Sequence, residues 1–345
     1  MDISDKQLNR IDSLKKSYLQ GLDSPKAVVE FPGAPRPGTS ELMESPAAML
    51  EWELCNIEAR MEAGDDYIPQ VRVDFGSIVV GSAYGCDVYL PENDYPCIKS
   101  HVLADASLID ALQEPPMDAG YLKKAYEYTD YFLKNKPGWV ELALLDFQGP
   151  FNNAHLARGN DILLDFYDCP ESVEKLLDKM AAYQVRLTRH YRAMAGMADG
   201  CLFDYGVAWK GNGRVCNCSL HMINPKFYDR YIKKADARTA AEIGGIRVHY
   251  CGSYDNGMLE SICGIPGVNS LEVDGRCHDM WKLSAAMPKD MPLMVMLPEA
   301  ERKEFLEKRA PSKDNLIILT FASCLEEAKE ISKNVKTVLG TYEPK

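Results

Sequence analysis

The chain has 345 residues, of which 46% are hydrophobic and 26% are charged. Both fractions are close to those of ordinary globular proteins, so disordered and fibrous classes are excluded. The formal charge of −12 argues against sequence-independent binding of nucleic acid or of an anionic membrane surface. No segment has the roughly 20 consecutive apolar residues of a membrane-spanning helix. We therefore expect a soluble protein without nucleic-acid or membrane partners.

The chain contains eleven cysteines, which is an odd number. Its first 20 residues are rich in charge and lack the apolar segment of a secretory signal. We therefore expect a cytoplasmic protein whose cysteines are mostly reduced thiols, as in the reducing cytoplasm of an anaerobe.

Residues 1–25 predict an N-terminal helical extension outside the main fold. Eight apolar segments of strand length follow, and helical patterns separate them. The predicted strands are AVVEF (27–31), VRVDFGSIVVG (71–81), VELALLDF (140–147), GCLFDYG (200–206), IRVHYCG (246–252), VNSLEV (268–273), PLMVML (292–297) and LIILTF (316–321). Residues 82–138 are too many for one helix and predict an insertion after the second strand.

Eight alternations of strand and helix predict an α/β protein with a (β/α)8 TIM barrel, forming a single domain over residues 1–345. An open doubly wound sheet is the alternative topology. Neither GxGxxG nor GxxxxGK[ST] follows a predicted strand, so the usual nucleotide-binding arguments for the open sheet are missing.

His249 and Cys251 stand two residues apart in the fifth predicted strand. Since side chains alternate along a strand, the imidazole and the thiol point to the same face. They are either a buried histidine beside a buried cysteine or part of a metal site. The catalytic residues of a barrel lie at the carboxyl ends of its strands, which is where this pair falls.

Cys324 follows the last predicted strand, and Glu272 lies at the end of the sixth. Together with His249 and Cys251 they would provide ligands that suit tetrahedral zinc. Glu272 is the candidate for a displaceable fourth ligand, and Asp274 or Glu299 could replace it.

A second cluster, VCNCSLH, contains Cys216, Cys218 and His221. Its C-x-C-x2-H spacing differs from that of common zinc knuckles, and it precedes Pro225, a predicted helix start. We interpret it mainly as a loop at the barrel mouth.

The segment GPFNNAHLARGNDILLDFYDCPESVEKLLDKM (149–180) resembles a G-P-F…LL…D-P-E…LL stretch of the uroporphyrinogen decarboxylase superfamily. DYGVAW, INPKFYDRYI, HYCG and GIPGVNSLEVD extend the resemblance from about residue 70 to the C-terminus. The resemblance implies a (β/α)8 barrel and one of two chemistries. One branch decarboxylates uroporphyrinogen without a cofactor, and the other comprises zinc-dependent methyltransferases that exchange a methyl group with a corrinoid protein.

The methyltransferase branch fits the residues better. The region that corresponds to the decarboxylase motif R-Q-A-G-R-Y contains only Arg36, and Ser77 stands where those enzymes have a catalytic aspartate. The methyltransferases instead have H-x-C on one strand and a distant cysteine near the C-terminus, which His249, Cys251 and Cys324 match in type and order.

The resemblance therefore implies a corrinoid-dependent zinc methyltransferase, similar to methylcobamide:coenzyme M methyltransferases and to the methyltransferases of O-demethylase systems. The small-molecule substrate would be a thiol, tetrahydrofolate or a methoxyaromatic. The chain has no D-x-H-x-x-G motif, so the cobalamin would arrive on a partner protein. The direction of transfer and the oligomeric state, including a homodimer, are left open.

Further pocket residues are expected near the strand ends. Asp204 and Tyr205 match a D-x-G-type stretch of the superfamily and are expected to hydrogen-bond substrate or a metal ligand, unless they are a helix cap and a packed ring. The turn after the third predicted strand offers further candidates for substrate binding, namely Gly149, Pro150, Phe151 and His155. His155 could be a general acid or a solvent-facing side chain.

Two alternatives to the methyltransferase remain. A cofactor-free decarboxylase would need arginines converging at the barrel mouth, and the sequence offers Arg72, Arg158, Arg214 and Arg247. A corrinoid- or tetrapyrrole-binding protein without catalysis would have metal ligands too far apart to share an ion.

Overall fold

The computed structural model describes residues 3–22, 24–253, 256–308, 310–311 and 315–342. Within these ranges, none of the helices combines the length and the apolar character needed to cross a lipid bilayer.

The chain alternates helices and strands throughout. The helices are α1 (Asp5–Gln20), α2 (Thr39–Glu44), α3 (Pro46–Arg60), α4 (Ile78–Ala83), α5 (Leu122–Asn135), α6 (Pro150–Arg158), α7 (Ile162–Asp168), α8 (Pro170–Met194), α9 (Pro225–Phe227), α10 (Lys233–Ile243), α11 (Asn256–Cys263), α12 (Met280–Ala286), α13 (Glu299–Glu307) and α14 (Leu325–Leu339). The strands are β1 (Lys26–Glu30), β2 (Gln70–Val71), β3 (Val88–Tyr89), β4 (Cys97–Ile98), β5 (Glu141–Leu142), β6 (Cys201–Asp204), β7 (Val207–Lys210), β8 (Gly213–Cys216), β9 (Ile246–Tyr250), β10 (Val268–Asp274), β11 (Leu293–Leu297) and β12 (Leu316–Phe321).

Parallel strands form the centre of the molecule. Six of them make one sheet in the order β1-β12-β11-β10-β9-β8, and β2 pairs with β5 in parallel. The backbone N–H of Asp66 donates to Ala27 at 2.7 Å, which ties the segment before β2 to β1. The Gln184 side chain donates to the carbonyls of Gln148 and Arg214, so the segments that contain β5 and β8 also meet. The predicted TIM-barrel-like α/β fold is confirmed.

The predicted N-terminal helix corresponds to α1, and the predicted insertion contains the β3–β4 hairpin and α5. An apolar stripe of α8 is buried, with Val173, Leu176 and Met180 fully inaccessible to solvent. Such burial is expected for an amphipathic helix, and α8 packs against α6, α7 and α10.

The fourth predicted strand does form, but it was wrongly predicted to be a parallel strand of the barrel. Residues 201–204 form β6, which pairs antiparallel with β7, and the parallel neighbour of β9 is instead β8. Tyr205 and Gly206 both have positive φ, of 50° and 73°. Two such residues reverse the chain in a tight hairpin, which apolar patterning does not reveal.

The second predicted strand is mostly not a strand. Only Gln70 and Val71 pair with β5, and residues 78–83 form α4. The Asp74 carboxylate accepts the N–H of Gly76 at 2.8 Å, and Gly76 has a φ of +58°. This turn ends the extended segment, and the apolar residues after it are buried as a short helix.

Candidate metal centre

The register of three adjacent strands aligns polar side chains at their carboxyl ends. Cys216 of β8 pairs with His249 of β9, which pairs with Glu272 of β10. Paired residues of parallel strands point to the same face. Two residues earlier, Arg214 pairs with Arg247 in the same way. A row of cysteine, histidine and glutamate therefore lies directly above a row of arginines, like the layers inside a TIM barrel.

Sulfur and imidazole donors gather at this row. One ligand atom each of Cys216, Cys218 and His249 lie within 4.8 Å of one another. The Cys218 Sγ is 3.4 Å from the Cys216 Sγ and 2.7 Å from the Cys251 Sγ. A hydrogen bond with Cys218 lowers the pKa of the Cys251 thiol to about 7, whereas hydrogen bonds with Cys216 and Cys251 raise the pKa of Cys218. Three donors thus lie together, and the Cys251 thiol contacts one of them, Cys218.

The C-x-C cluster was interpreted from sequence mainly as a loop, but Cys216 ends β8 and Cys218 follows it directly. What was missed is that Cys216 ends a strand that pairs with the strand of His249, whereas Cys218 begins the 3-10 helix Cys218–Met222 that follows. His221 lies outside the donor group, and its Nδ1 contacts the Cys218 carbonyl at 2.7 Å.

His249 is held in a defined orientation. Its Nδ1 lies 2.7 Å from the Glu272 Oε1, and its ring stacks on Tyr205 with centroids 5.9 Å apart. Burial, reinforced by Arg214 and Arg247, lowers the pKa of His249 well below its usual value. The imidazole is therefore neutral at neutral pH, and the contact at Nδ1 leaves Nε2 for a metal ion.

Three arginines converge on Asp204, which is 1% exposed. Arg72 and Arg247 pair with its carboxylate, and the Arg214 Nε lies 3.2 Å from its Oδ2. Burial alone would raise the pKa of Asp204, but Arg247, Arg72 and Arg214 together lower it to about 2. Asp204 is therefore ionised and anchors a buried network of charges.

The same arginines have further partners within the chain. Arg247 also pairs with Glu272, and Arg214 pairs with Asp146 at 2.7 Å. Arg158, the fourth arginine considered for a decarboxylase, pairs with Asp165 at 2.8 Å. The arginines that converge here are thus bound to carboxylates of this protein, which leaves them unsuited to hold the carboxylates of a substrate.

A cavity of about 830 Å³ opens beside the donor group. Its volume is in the range typical of small-molecule sites. Cys216, Cys218 and His249 line one side of it. The rest of the lining contains Arg60, Arg72 and Arg214 and many aromatic and acidic side chains, which include Phe31, Trp52, Glu53, Tyr67, Asp74, Tyr95 and Phe321.

The other predicted site residues have varied positions. Asp204 and Tyr205 line the cavity. Cys324 is the N-cap of α14 and is exposed, and among the described residues it does not belong to the group of donors. Glu272 contacts His249 and Arg247 and is likewise outside that group. Asp274 and Glu299, the substitutes for Glu272, pair with Arg276 and Lys303.

The turn before α6 is packed rather than open. A Cβ on Gly149 would overlap the Asn217 side chain, so only glycine allows this close approach between the two segments. Pro150 begins α6, and Phe151 is fully buried. The His155 ring contacts Ser219 Oγ and Asn160 Oδ1, both at 2.9 Å. Substrate binding by these residues stays a prediction.

Asn217, between the two cysteines of C-x-C, connects this segment to α10. Its Nδ2 donates to the Asp236 Oδ2 at 2.8 Å, and the Tyr228 hydroxyl donates to the same oxygen at 3.0 Å. Burial raises the pKa of Asp236 to about 7, although both hydrogen bonds oppose the shift.

The raised pKa of Asp236 makes stability depend on pH. The Asp236 carboxyl binds its proton more tightly in the folded protein than in the unfolded chain. The contribution of this protonated carboxyl to the free energy of unfolding is therefore fully present below about pH 4 and is lost as the pH rises through about 7. We expect Asp236→Asn to reduce the loss of unfolding free energy between pH 5 and pH 8, measured by urea denaturation. The exposed Asp290→Asn is the matched control, and equal pH slopes in Asp236→Asn and the control would contradict the assignment.

Fold and site together define a TIM-barrel-like α/β protein with a thiol–imidazole centre beside a large cavity. The profile of the uroporphyrinogen decarboxylase (URO-D) family matches residues 41–294, and the chain belongs to this family. Among solved structures, a methyltransferase from Methanosarcina mazei is similar, with a TM-score of 0.67 and 16% sequence identity over 96% of this chain and 98% of that chain. At this identity the likeness supports the shared fold. Among curated proteins, no sequence matches.

Proposed function

We propose that the protein is a zinc-dependent methyltransferase that moves a methyl group between a corrinoid carried by a partner protein and a small molecule. The observation that carries this proposal is the group of Cys216, Cys218 and His249 on the wall of a large cavity, within a fold of the URO-D family. The methyltransferase among the similar structures is compatible with the same chemistry.

The donor set fits zinc. Thiolate sulfur and imidazole nitrogen are the usual ligands of tetrahedral zinc, and the three donors are within 4.8 Å of one another. Glu272 holds the Nδ1 of His249, which is the usual arrangement around a zinc-bound histidine. The predicted ligand Cys251 lies next to Cys218, whereas Cys324 and Glu272 stay predictions.

Residues around the donors orient the His249 ring and surround it with paired charges. Zinc bound at the donors would act as a Lewis acid toward a thiol or an ether oxygen of the substrate. Tyr205 stacks on His249 and fixes its ring plane. The buried Arg214 and Arg247 lie one row below the donors, where they pair with Asp204. The cavity provides room for a thiol, tetrahydrofolate or methoxyaromatic substrate.

A cofactor-free decarboxylase is the weaker alternative. Its arginines would have to bind the substrate, and Arg72 and Arg214 do line the cavity, but both are paired with Asp204, as is Arg247. A binding protein without catalysis is also less well supported, because the donors are close enough to share one ion.

The test is the zinc content of protein purified without chelator, followed by methyl-transfer assays with methylcobalamin and a panel of thiols, tetrahydrofolate and methoxyaromatics. We expect about one zinc per chain and loss of both zinc and transfer in His249→Ala. His190→Ala, an exposed histidine of α8, is the matched control. A wild-type chain that neither contains nor takes up zinc would contradict the proposal, and decarboxylation would then be assayed.

A further inference from the structure

We propose that Cys218 and Cys251 are a redox modification site, at which a small-molecule disulfide oxidises the two thiols to a disulfide within the chain. This disulfide removes Cys218 from the donors of the candidate metal centre. The consequence for zinc rests on the proposed function, whereas formation of the disulfide does not. Metal occupancy would then depend on the thiol–disulfide balance around the protein.

The Cys218 and Cys251 sulfurs lie side by side although 33 residues separate them in the chain. Both are free thiols, and their Sγ atoms are 2.7 Å apart, against about 2.05 Å in a disulfide bond. The backbone already holds the two segments together, because Cys216 pairs with His249 and the Asn217 N–H donates to the His249 carbonyl at 3.4 Å. A sulfur displacement of less than about 1 Å therefore closes the bond.

The two thiols differ in their access to solvent. Cys251 is exposed and Cys218 is half-buried, so an oxidant from solution meets Cys251 first. Cys216, whose Sγ is 3.4 Å from that of Cys218, is buried. An accessible thiol next to a second cysteine that can resolve a mixed disulfide is the usual arrangement of redox-sensitive cysteines. Cys251 is therefore the attacking thiol and Cys218 the resolving one.

The reaction is a thiol–disulfide exchange with a low-molecular-weight disulfide such as glutathione disulfide. The Cys251 sulfur attacks one sulfur of the oxidant, whose S–S bond breaks, so that a mixed disulfide forms on Cys251 and one glutathione thiolate leaves. The Cys218 sulfur then attacks the Cys251 sulfur, which closes the bond between the two cysteines and expels the second glutathione thiolate. Two protein thiols are oxidised, one small disulfide is reduced, and the two thiol protons end on the two glutathione molecules.

Cys218 takes part in both arrangements. One ligand atom each of Cys216, Cys218 and His249 lie within 4.8 Å of one another. A cysteine binds a metal ion as its thiolate, and a sulfur in a disulfide bond has no thiolate to offer. Two donors of this group then remain, fewer than the three protein ligands of a typical catalytic zinc site. Bound zinc and the disulfide therefore exclude each other.

The experiment maps the disulfide in the metal-free, full-length protein. The protein is treated with glutathione disulfide and digested with trypsin, and linked peptides are identified by mass spectrometry. We expect a linkage between residues 215–226, which contain Cys218, and residues 248–276, which contain Cys251. Absence of this linkage from folded, oxidised protein would overturn the proposal.

Variants assign the two sulfurs, because the same peptides also contain Cys216 and Cys263. Cys218→Ser and Cys251→Ser should each reduce the linkage at least about tenfold, since exchange needs both thiols. Cys216→Ser and the matched control Cys263→Ser should retain it. Loss of the linkage in Cys216→Ser with its retention in Cys218→Ser would assign the disulfide to the wrong pair. Circular dichroism verifies that each variant is folded.

Zinc content separates this inference from the proposed function. Oxidation should lower the zinc content of the wild-type protein at least about fivefold, dithiothreitol should restore it, and zinc added beforehand should slow the linkage. If zinc binds but the linkage does not form, the modification site is wrong while the proposed function survives. If the linkage forms in a chain that never binds zinc, the proposed function fails and the modification site stands. Equal zinc content before and after complete oxidation would overturn the coupling between them.

Discussion

Replacement of Asp204 by asparagine is expected to lower the free energy of unfolding by about 3–5 kcal/mol, which is the usual effect of removing one partner from a buried ion pair. Asp204 balances the charges of Arg72, Arg214 and Arg247 in an interior where Asp204 is 1% exposed and Arg247 is fully buried. Asparagine has nearly the same shape but no charge. Urea denaturation followed by circular dichroism measures the loss.

The matched control is Asp161→Asn. The Asp161 carboxylate also pairs with an arginine, Arg158, at 3.1 Å, but its side chain is 65% exposed. Solvent screens such a pair, so we expect a change below about 1 kcal/mol. If Asp204→Asn were no more destabilising than this control, the buried network would not contribute to stability in the way its geometry indicates.

Much of the fold was predictable because parallel strands and amphipathic helices have distinct periodicities. The buried stripe of α8 is an example, since Val173, Leu176 and Met180 follow the helical repeat. The hairpin at Tyr205 was not predictable by the same means. A tyrosine with positive φ is unfavourable on its own, and tertiary contacts such as its stacking on His249 compensate for it.

The candidate site was predictable only in part, because it depends on how neighbouring strands are aligned with one another. Alternation along one strand predicts His249 and Cys251 on the same face, but β9 ends at Tyr250 and Cys251 lies just beyond it. The pairing of Cys216 with His249 depends on how β8 is aligned with β9, and no local pattern encodes that alignment. The long-range contacts of Arg72 with Asp204 likewise form between segments 132 residues apart in the chain.

The position of Asp204 also explains how one family fold can favour different chemistries. A cluster of arginines at a barrel mouth attracts the carboxylates of a substrate when it is not neutralised. Here Asp204, Asp146 and Glu272 neutralise the cluster from within. On the row above, burial together with Arg214 and Arg247 lowers the pKa of His249 and keeps its imidazole neutral. Arginines that would bind a substrate in a decarboxylase are thus occupied within this protein, beneath the donors that we propose to bind zinc.

Glu272→Gln tests the proposed zinc site most directly, and we expect it to weaken zinc binding about 10- to 100-fold. The carboxylate accepts the Nδ1 proton of His249, which orients the ring and makes Nε2 a stronger donor. Glutamine preserves the volume, but its amide is a weaker acceptor and leaves Arg247 with Asp204 as its remaining carboxylate partner in this network. Competition with a chromogenic chelator measures the affinity.

The matched control for this variant is Glu304→Gln, a change of the same type at an exposed ion pair with Lys308 on α13. Its zinc affinity should equal that of the wild type. Thermal unfolding of both metal-free variants separates a loss of the binding site from a loss of the fold, since removal of Glu272 also perturbs Arg247. Wild-type zinc affinity in Glu272→Gln would mean that Tyr205 and the strand register alone orient the imidazole of His249. The Glu272 carboxylate would then serve only as an ion-pair partner of Arg247.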